Sequence, residues 1–405
     1  MEGPLSHRRI APLLALAVAL IPFALDAYLP AFPAIARDLG VSSSEVGLTL
    51  SVYVFLLALG QLVGGPLSDR FGRRPILFAG IAIFIAGSLL VTTAESLPFM
   101  LSWRAVQAFG GGWVAVSVPA IVRDRTSGAE TARLFSLIAL IMFLAPALAP
   151  SVGTVLMSVL GWRGIFDFLA VYALLVAILL QVFLFRGSAP LVSRQRQPLH
   201  ALVTNYRHVL AHGTAMMLVI LQALMFSVLL LYLTHVPFLL QDWLGLDNRG
   251  FSLVFALNVA AMACVAALNR RLLRHFEPRQ ILAVAVRFQC LAVAALLAVT
   301  LLPAARWLLI PALMIIVAAM GAISPNVQAS VMQFFRVLGG TAAALLGAVQ
   351  FAGGGLVSAA SALVVHGEPY RVAAFMLGCV LVASLLMFPV GRRLRGHHGE
   401  PEAGL

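Results

Sequence analysis

Long apolar runs, separated by short polar connections, recur along almost the whole chain. Each run is about 20 residues long, which is the length of α-helix that crosses the hydrocarbon core of a bilayer. A membrane β-barrel would instead show alternating segments of roughly ten residues. We therefore predict an all-α polytopic membrane protein with twelve transmembrane helices, at residues 10–34, 45–67, 76–95, 98–122, 132–157, 163–185, 214–240, 250–269, 280–302, 306–332, 338–364 and 371–391.

The longest polar interruption lies between the sixth and seventh spans. It divides the chain near its midpoint, and the connections "DRFGRRPIL" and "NRRLLRHFEPRQIL" follow the second span of each half. Repeated halves of this kind are typical of secondary transporters. We predict a six-helix bundle at 1–185, a cytoplasmic linker at 186–213, a second six-helix bundle at 214–391 and a cytoplasmic tail at 392–405.

Composition excludes a soluble protein and gives the predicted helices an orientation. The 405 residues are 61% hydrophobic and 10% charged, and the net charge is +12. In a soluble chain that charge would suggest a nucleic-acid partner, but in membrane proteins basic residues collect in cytoplasmic loops. With both termini inside, twenty of the 27 basic residues, all arginine, fall on the cytoplasmic side and five fall outside. We therefore expect no nucleic-acid binding and cytoplasmic termini.

Two opposite charges lie within the apolar runs of the first half. Asp26 lies roughly 24 Å from the inner edge of span one, and Arg104 lies roughly 9 Å below the outer edge of span four. Charges inside a membrane pair with one another or face a watery cavity. We expect Asp26 and Arg104 to face one central cavity and to be electrostatically coupled.

Two interpretations of this pair stay open. Either the pair is a fixed ion pair that joins helix one to helix four, or Asp26 exchanges a proton. Burial favours the neutral carboxyl group and a nearby guanidinium favours the ionised one, so a balance between them suits proton coupling. Four further polar side chains in the spans are candidates for the substrate cavity: Tyr28, Gln107, Gln222 and Asn258. Asp167 is expected to be interfacial, either paired with Arg163 or solvated.

The connection between spans two and three combines an acid, a glycine and three arginines in "GGPLSDRFGRRP". Gly72 permits a sharp turn, and Arg73 is placed to pair with Asp124 at the inner end of span four. Contacts of this kind, present in one state only, would bias a two-state equilibrium. We interpret the connection as a cytoplasmic latch.

Other chemistries have little support in the sequence. The three cysteines lie in apolar runs without metal-ligand spacing, so we expect no metal site. No nucleotide-binding loop is present, and the histidines form no evident ligand pair. We expect no cofactor, and the proton gradient would be the energy source. A non-transport membrane scaffold remains a remote alternative.

Several motifs resemble those of the major facilitator superfamily. The signature G-x-x-x-D-x-x-G-R-[KR] is matched by Gly65, Asp69, Gly72, Arg73 and Arg74. "LSWRAVQAFGGG" is similar to the family's span-four motif, and "LAPALAPSVGTV", with Pro146, Pro150 and Gly153, resembles its span-five antiporter motif. The opening "DAYLPAFPAIARDLG" is similar to the Bcr/CflA group, which exports bicyclomycin and chloramphenicol.

The resemblance implies proton-driven efflux of small amphipathic drugs through a bacterial inner membrane. Two six-helix bundles would rock about a central cavity, with Asp26 and Arg104 as the proton-coupling pair. We expect a lipid-embedded monomer. The span-five motif departs from the family pattern at Ala149 and Thr154, so symport of a small metabolite on the same fold is the alternative.

Overall fold

The computed structural model describes residues 7–125, 128–185, 199–335, 339–365 and 367–396. Within these ranges the chain is helical and contains no β-strand. The helices are α1 (His7–Asp26), α2 (Phe32–Leu39), α3 (Ser43–Val46), α4 (Leu48–Phe71), α5 (Arg73–Val91), α6 (Leu97–Arg125), α7 (Gly128–Leu180), α8 (Leu199–Ala211), α9 (Gly213–Pro237), α10 (Asn248–Leu272), α11 (Pro278–Leu301), α12 (Leu309–Met332), α13 (Gly339–Val364) and α14 (Pro369–Gly396). Short 3-10 segments cover Leu29–Ala31 and Pro303–Leu308, and π-helical segments cover Gln181–Phe185 and Phe238–Trp243.

Eleven helical stretches in the described ranges are long and apolar enough to cross a membrane. One of them, Leu144–Phe185, has 42 residues, which at 1.5 Å per residue is about twice the thickness of a bilayer core. Gly161 interrupts this stretch with φ 71° and ψ −177°. The stretch therefore supplies both the fifth and the sixth predicted spans, and the prediction of a polytopic α-helical membrane protein is confirmed.

The helices form two compact units. Unit 1 comprises Met1–Arg196, Leu233–Val259 and Ser358–Gly367, and unit 2 comprises Gln197–Tyr232, Ala260–Val357 and Glu368–Leu405. Three helices, α9, α10 and α13, each contribute one end to unit 1 and the remainder to unit 2. The predicted division into sequential six-helix domains stays a prediction.

A glycine turn and a helix cap determine where the second span begins. Helix α2 ends at Gly40, whose φ of 66° lies in the left-handed region that glycine tolerates. Ser42 then caps α3: its Oγ accepts a hydrogen bond from the backbone N–H of Glu45, and Glu45 accepts one from the backbone N–H of Ser42 at 2.8 Å. This capping box fixes where the chain turns back into the membrane.

Glycines bring α6 close to both of its neighbours in unit 1. A Cβ built on Gly64 of α4 would lie 2.9 Å from Cδ1 of Trp113, and one built on Gly87 of α5 would lie 2.5 Å from the backbone nitrogen of Gln107. Small residues allow such close approach of helices in membranes. The packing leaves no room for side chains at these positions, and it fixes the backbone that carries Arg104.

Hydroxyl groups join α4 to the ends of α9 and α13 that belong to unit 1. Ser51 Oγ donates to Ser358 Oγ at 2.8 Å, and Thr234 Oγ1 lies 2.6 Å from the same oxygen. His235 Nε2 lies 2.9 Å from Ser361 Oγ. All five side chains are buried. These hydrogen bonds connect residues of both sequence halves within unit 1.

Unit 2 is held by amide side chains as well as by apolar packing. Gln289 of α11 donates to the carbonyl oxygen of Ile316 at 3.0 Å, and Asn326 of α12 donates to Asn269 Oδ1 at 2.7 Å. A Cβ built on Gly321 would lie 2.9 Å from the backbone nitrogen of Ala266. These contacts bind α12 to α10 and α11.

Candidate functional site

Arg104 is the largest fully buried side chain of the described residues. Its Nη1 donates to Gln107 Oε1 at 2.6 Å, one turn further along α6. Its Nη2 donates to the carbonyl oxygen of Ala24 in α1 at 3.0 Å. Its Nε is buried without a hydrogen-bond partner among the described residues. The guanidinium therefore ties α6 to α1 through the backbone and leaves its Nε–H unused.

Three aromatic rings enclose the Arg104 guanidinium. Its Cζ lies 4.3 Å from the ring centroid of Tyr53, 4.4 Å from that of Tyr28 and 5.5 Å from that of Phe166. Cation–π attraction offsets part of the cost of burying a charge, and arginine is suited to it because its guanidinium is planar and weakly hydrated. The rings hold the charge in place without neutralising it.

Hydrogen bonds fix the groups around Arg104 in turn. Gln107 Nε2 donates to Ser88 Oγ at 2.7 Å, and Ser88 Oγ donates to the carbonyl oxygen of Phe84 at 2.8 Å. Tyr28 Oη lies 2.9 Å from Thr49 Oγ1. The amide of Gln107 must present its oxygen to Arg104, because a guanidinium has only donors, and its nitrogen is then directed to Ser88.

Asp26 is buried at the end of α1, with 4% of its surface exposed. Its Oδ1 has no hydrogen-bond partner among the described residues. No ion pair joins it to Arg104 within 4.0 Å. The fixed ion pair weighed above is therefore absent, because Arg104 uses the backbone of Ala24 instead. Arg104 contacts residues on both sides of Asp26 along the chain, so the two charges lie in one neighbourhood. Their role in proton coupling stays a prediction.

The span-five motif lies against this neighbourhood. A methyl group on Gly153 of α7 would overlap the carbonyl oxygen of Ala27, the residue that follows Asp26. Pro146 and Pro150 lie within the same helix, and Pro150 is buried. Only glycine permits this approach of α7 to the chain beside the carboxyl group.

A second charged cluster lies between α4, α5 and α6. Arg73 Nε donates to Asp124 Oδ2 at 2.8 Å, and Arg73 Nη1 donates to Asp69 and to Ser68 Oγ, the latter at 3.3 Å. Gly72 has φ 97°, which permits the turn that brings Arg73 back against α4. Arg73 thus forms the expected pair with Asp124 and a second pair with Asp69.

Two further arginines near this cluster, Arg74 and Arg125, contact the π-helical segment that follows α7. Arg74 Nη2 donates to Gln181 Oε1 at 3.0 Å. Arg125 donates to the carbonyl oxygen of Leu184, with both distances 3.2 Å, and lies over the ring of Phe185. Burial lowers the pKa of Arg125, but an arginine stays charged at neutral pH. A Cβ on Gly65 would meet nothing within 4 Å, so its predicted place in the latch rests on the motif alone.

The two amides predicted from the second half lie in different units. Gln222, in unit 2, donates to Ser324 Oγ and to Gln350 Oε1, both at 2.9 Å, and its Oε1 is buried without a partner among the described residues. Asn258, in unit 1, is buried in α10. Contact with a substrate stays a prediction for both.

Asp167 does not pair with Arg163, because Arg163 is used elsewhere. Arg163 Nη1 lies 2.6 Å from Asp38 Oδ2, while Nε donates to the carbonyl oxygen of Thr92 and Nη2 donates to that of Ala94. Asp167 is exposed. Of the two expectations for Asp167, the pairing is wrong.

Sequence reasoning missed most of the shell around Arg104. Phe166, Thr49 and Ser88 lie in apolar runs where nothing in the pattern distinguishes them from residues facing lipid. Tyr53 carried the one usable signal, since it is one of only six tyrosines in the chain. The carbonyl of Ala24 gives no sequence signal.

The chain is similar to proteins of a known family. The family model described as Major Facilitator Superfamily matches residues 14–359. The bicyclomycin resistance protein homolog of Haemophilus influenzae is 28% identical over 369 residues, covering 91% of this chain and 92% of that protein. The multidrug resistance protein MdtL of Escherichia coli is 27% identical over 386 residues, covering 94% and 95%. A D-xylose-proton symporter structure matches with TM-score 0.78 at 16% identity, over 94% of this chain and 97% of that one.

Proposed function

Because the chain belongs to the Major Facilitator Superfamily, we propose that it exports small amphipathic drugs or toxic compounds in exchange for protons. The names of its relatives, a bicyclomycin resistance protein homolog and a multidrug resistance protein, support export. The symporter structure supports the fold alone, since the identity is 16%. Export and symport use the same fold, so the direction of transport requires a functional test.

The unpaired carboxyl group of Asp26 is the observation that carries the proposal. An ionised carboxylate is costly when it is buried without a partner. A guanidinium within reach would stabilise that ionised form. A small displacement of α1 against α6 would therefore decide whether Asp26 holds its proton. Proton coupling requires such a link between conformation and protonation.

Arg104 is the second element of the proposed coupling site. Three rings hold the guanidinium, and its Nε is unused among the described groups. When Asp26 loses its proton, Arg104 supplies the compensating charge. When Asp26 is protonated, Arg104 keeps its hydrogen bonds to Gln107 and Ala24. The substrate would bind beside Tyr28 and Gln107 and would favour one of these two arrangements.

The Arg73 cluster is the proposed cytoplasmic latch. Arg73 is anchored by two carboxylates from α4 and α6, which fixes the inner ends of these helices. A conformational change that separates these ends must break at least one of the two pairs. The latch thereby biases the equilibrium between the two access states.

The proposed setting follows from the arginine distribution. With both termini in the cytoplasm of a bacterium, the excess of arginine lies on the inner side, as the positive-inside rule requires. The protein would act as a monomer in the inner membrane, without a cofactor. Fusion of a periplasmic and of a cytoplasmic reporter enzyme to the C-terminus tests the orientation, because only the cytoplasmic reporter should be active.

Export is tested by drug susceptibility in a host that lacks its own pumps. Wild type should raise tolerance to several amphipathic drugs, and Asp26→Asn and Arg104→Ala should not. Asp167→Asn is the matched control, because this exposed carboxylate lies in the same half. Labelled drug should leave cells that express the wild type. Accumulation of the drug would instead establish symport, and unchanged tolerance to every drug would contradict export.

A further inference from the structure

Apart from the Arg104 neighbourhood, unit 1 contains an open pocket of about 650 Å³. Its walls come from Pro33, Ala36 and Arg37 of α2, the turn at 41–44, Phe238, Gln241 and Asp242 of the π-helical segment, and Leu246 and Gly367. We call it the Arg37 pocket. Its volume lies within the range of roughly 300–1,000 Å³ that is typical of small-molecule sites.

Two opposite charges face the Arg37 pocket without neutralising each other. Arg37 and Asp242 both line it, and neither forms an ion pair within 4.0 Å in the described part of the chain. Arg37 Nε donates to the carbonyl oxygen of Pro33 at 3.2 Å, which holds the base of the guanidinium and leaves its outer nitrogens available. The pocket therefore presents a cation and an anion that are held apart.

The lining of the pocket also carries an unused donor. Gln241 lines the pocket, and its Nε2 is buried without a hydrogen-bond partner among the described residues. Gln241 lies in the π-helical segment Phe238–Trp243, and π-helical turns occur frequently at functional sites. Val41, Phe238 and Leu246 supply apolar surface. A ligand would thus need a charge at each end and an apolar body.

We propose that the Arg37 pocket binds a zwitterionic amphipathic small molecule. Its carboxylate contacts Arg37 and Gln241, and its ammonium group contacts Asp242. The dipeptide Trp-Leu is a probe of this class, because it carries an ammonium group, a carboxylate and an apolar body. Charge-assisted hydrogen bonds at both ends would provide selectivity over molecules with a single charge.

Occupation of the pocket has a consequence for transport that rests on the proposed function. The pocket joins α2 and α3 to the end of α9, on the side that the arginine distribution assigns to the exterior. Thr234, three residues before the end of α9, is hydrogen-bonded to Ser358 on the same side. Opening of the exterior side would separate these walls, so a bound zwitterion would hold that side closed. An external zwitterion is therefore an inhibitor.

Binding is tested by calorimetry on the full chain in lipid nanodiscs, with the dipeptide Trp-Leu as the probe. Its N-acetyl form lacks the cation, and its C-terminal amide lacks the anion. Wild type should bind Trp-Leu about tenfold more tightly than either analogue. Arg37→Gln should abolish the preference over the amide, and Asp242→Asn should abolish the preference over the N-acetyl form. Arg306→Gln, at another exposed arginine, should change nothing.

Three results would overturn the proposal. The wild type could bind the three probes with equal affinity, or both variants could keep the wild-type preference for Trp-Leu over its analogues. The third is no saturable binding of Trp-Leu up to about 20 mM. External Trp-Leu should inhibit transport by the wild type and leave the Arg37→Gln and Asp242→Asn variants uninhibited. Asp26→Asn should still bind Trp-Leu. A wild type that binds the dipeptide but does not transport drugs would refute the proposed function while leaving the site intact.

Discussion

Gly153 offers a direct test of the packing beside Asp26. A Cβ at this position would lie 2.7 Å from the carbonyl carbon and 3.2 Å from the Cα of Ala27, and it would overlap the carbonyl oxygen. These atoms are backbone, so they cannot move aside as a flexible side chain would. Gly153→Ala must push α7 away from the end of α1 by roughly 1 Å, and overpacking of this kind costs about 3 kcal/mol.

Two measurements report this displacement. The melting temperature in detergent should fall by about 4 °C, and turnover in proteoliposomes should fall up to about 100-fold, because Ala27 adjoins the proposed proton site. Gly378→Ala is the matched control, since a Cβ there would meet nothing within 4 Å. It should be neutral or stabilising by up to about 1 kcal/mol, because alanine favours the helix. A Gly153→Ala variant with wild-type melting temperature and turnover would refute the reasoning.

Three further predictions concern single contacts. Arg104→Lys keeps the charge but loses the planar guanidinium and its stacking on three rings, so turnover should fall more than about tenfold. Arg287→Lys, at an exposed arginine of α11, is the control. Equal turnover of both variants would argue against the ring enclosure. Arg73→Gln and Asp124→Asn should be non-additive by about 1 kcal/mol in a double-mutant cycle of thermal stability, because the pair is only partly exposed; additive losses would contradict the pair. Ser42→Ala should cost about 1 kcal/mol of stability through loss of the α3 cap, measured against Ser102→Ala, whose hydroxyl bonds only within its own helix.

Hydropathy predicted the helices because every helix that crosses a bilayer must be a long apolar run. Each span can therefore be recognised from its own residues. The break at Gly161 lies in the gap between the predicted spans 132–157 and 163–185, where a single glycine separates two apolar helices. Asp26 and Arg104 were found because charges are conspicuous in such runs.

The contacts of Asp26 and Arg104 could not be predicted from the sequence. Arg104 bonds to a backbone carbonyl and lies against aromatic rings, and neither partner differs in composition from lipid-facing residues. The Arg37 pocket was missed for a related reason: Arg37 and Asp242 lie 205 positions apart in the sequence, and only folding brings them to one pocket.

The central claim is that Asp26 exchanges a proton when drug binds, and proton release by the purified protein measures it directly. Drug added to the wild type in a weakly buffered solution should release protons from the protein, by the linkage between binding and protonation. Asp26→Asn should bind drug and release none. Equal proton release from the wild type and from Asp26→Asn would contradict the account, because another group would then carry the proton.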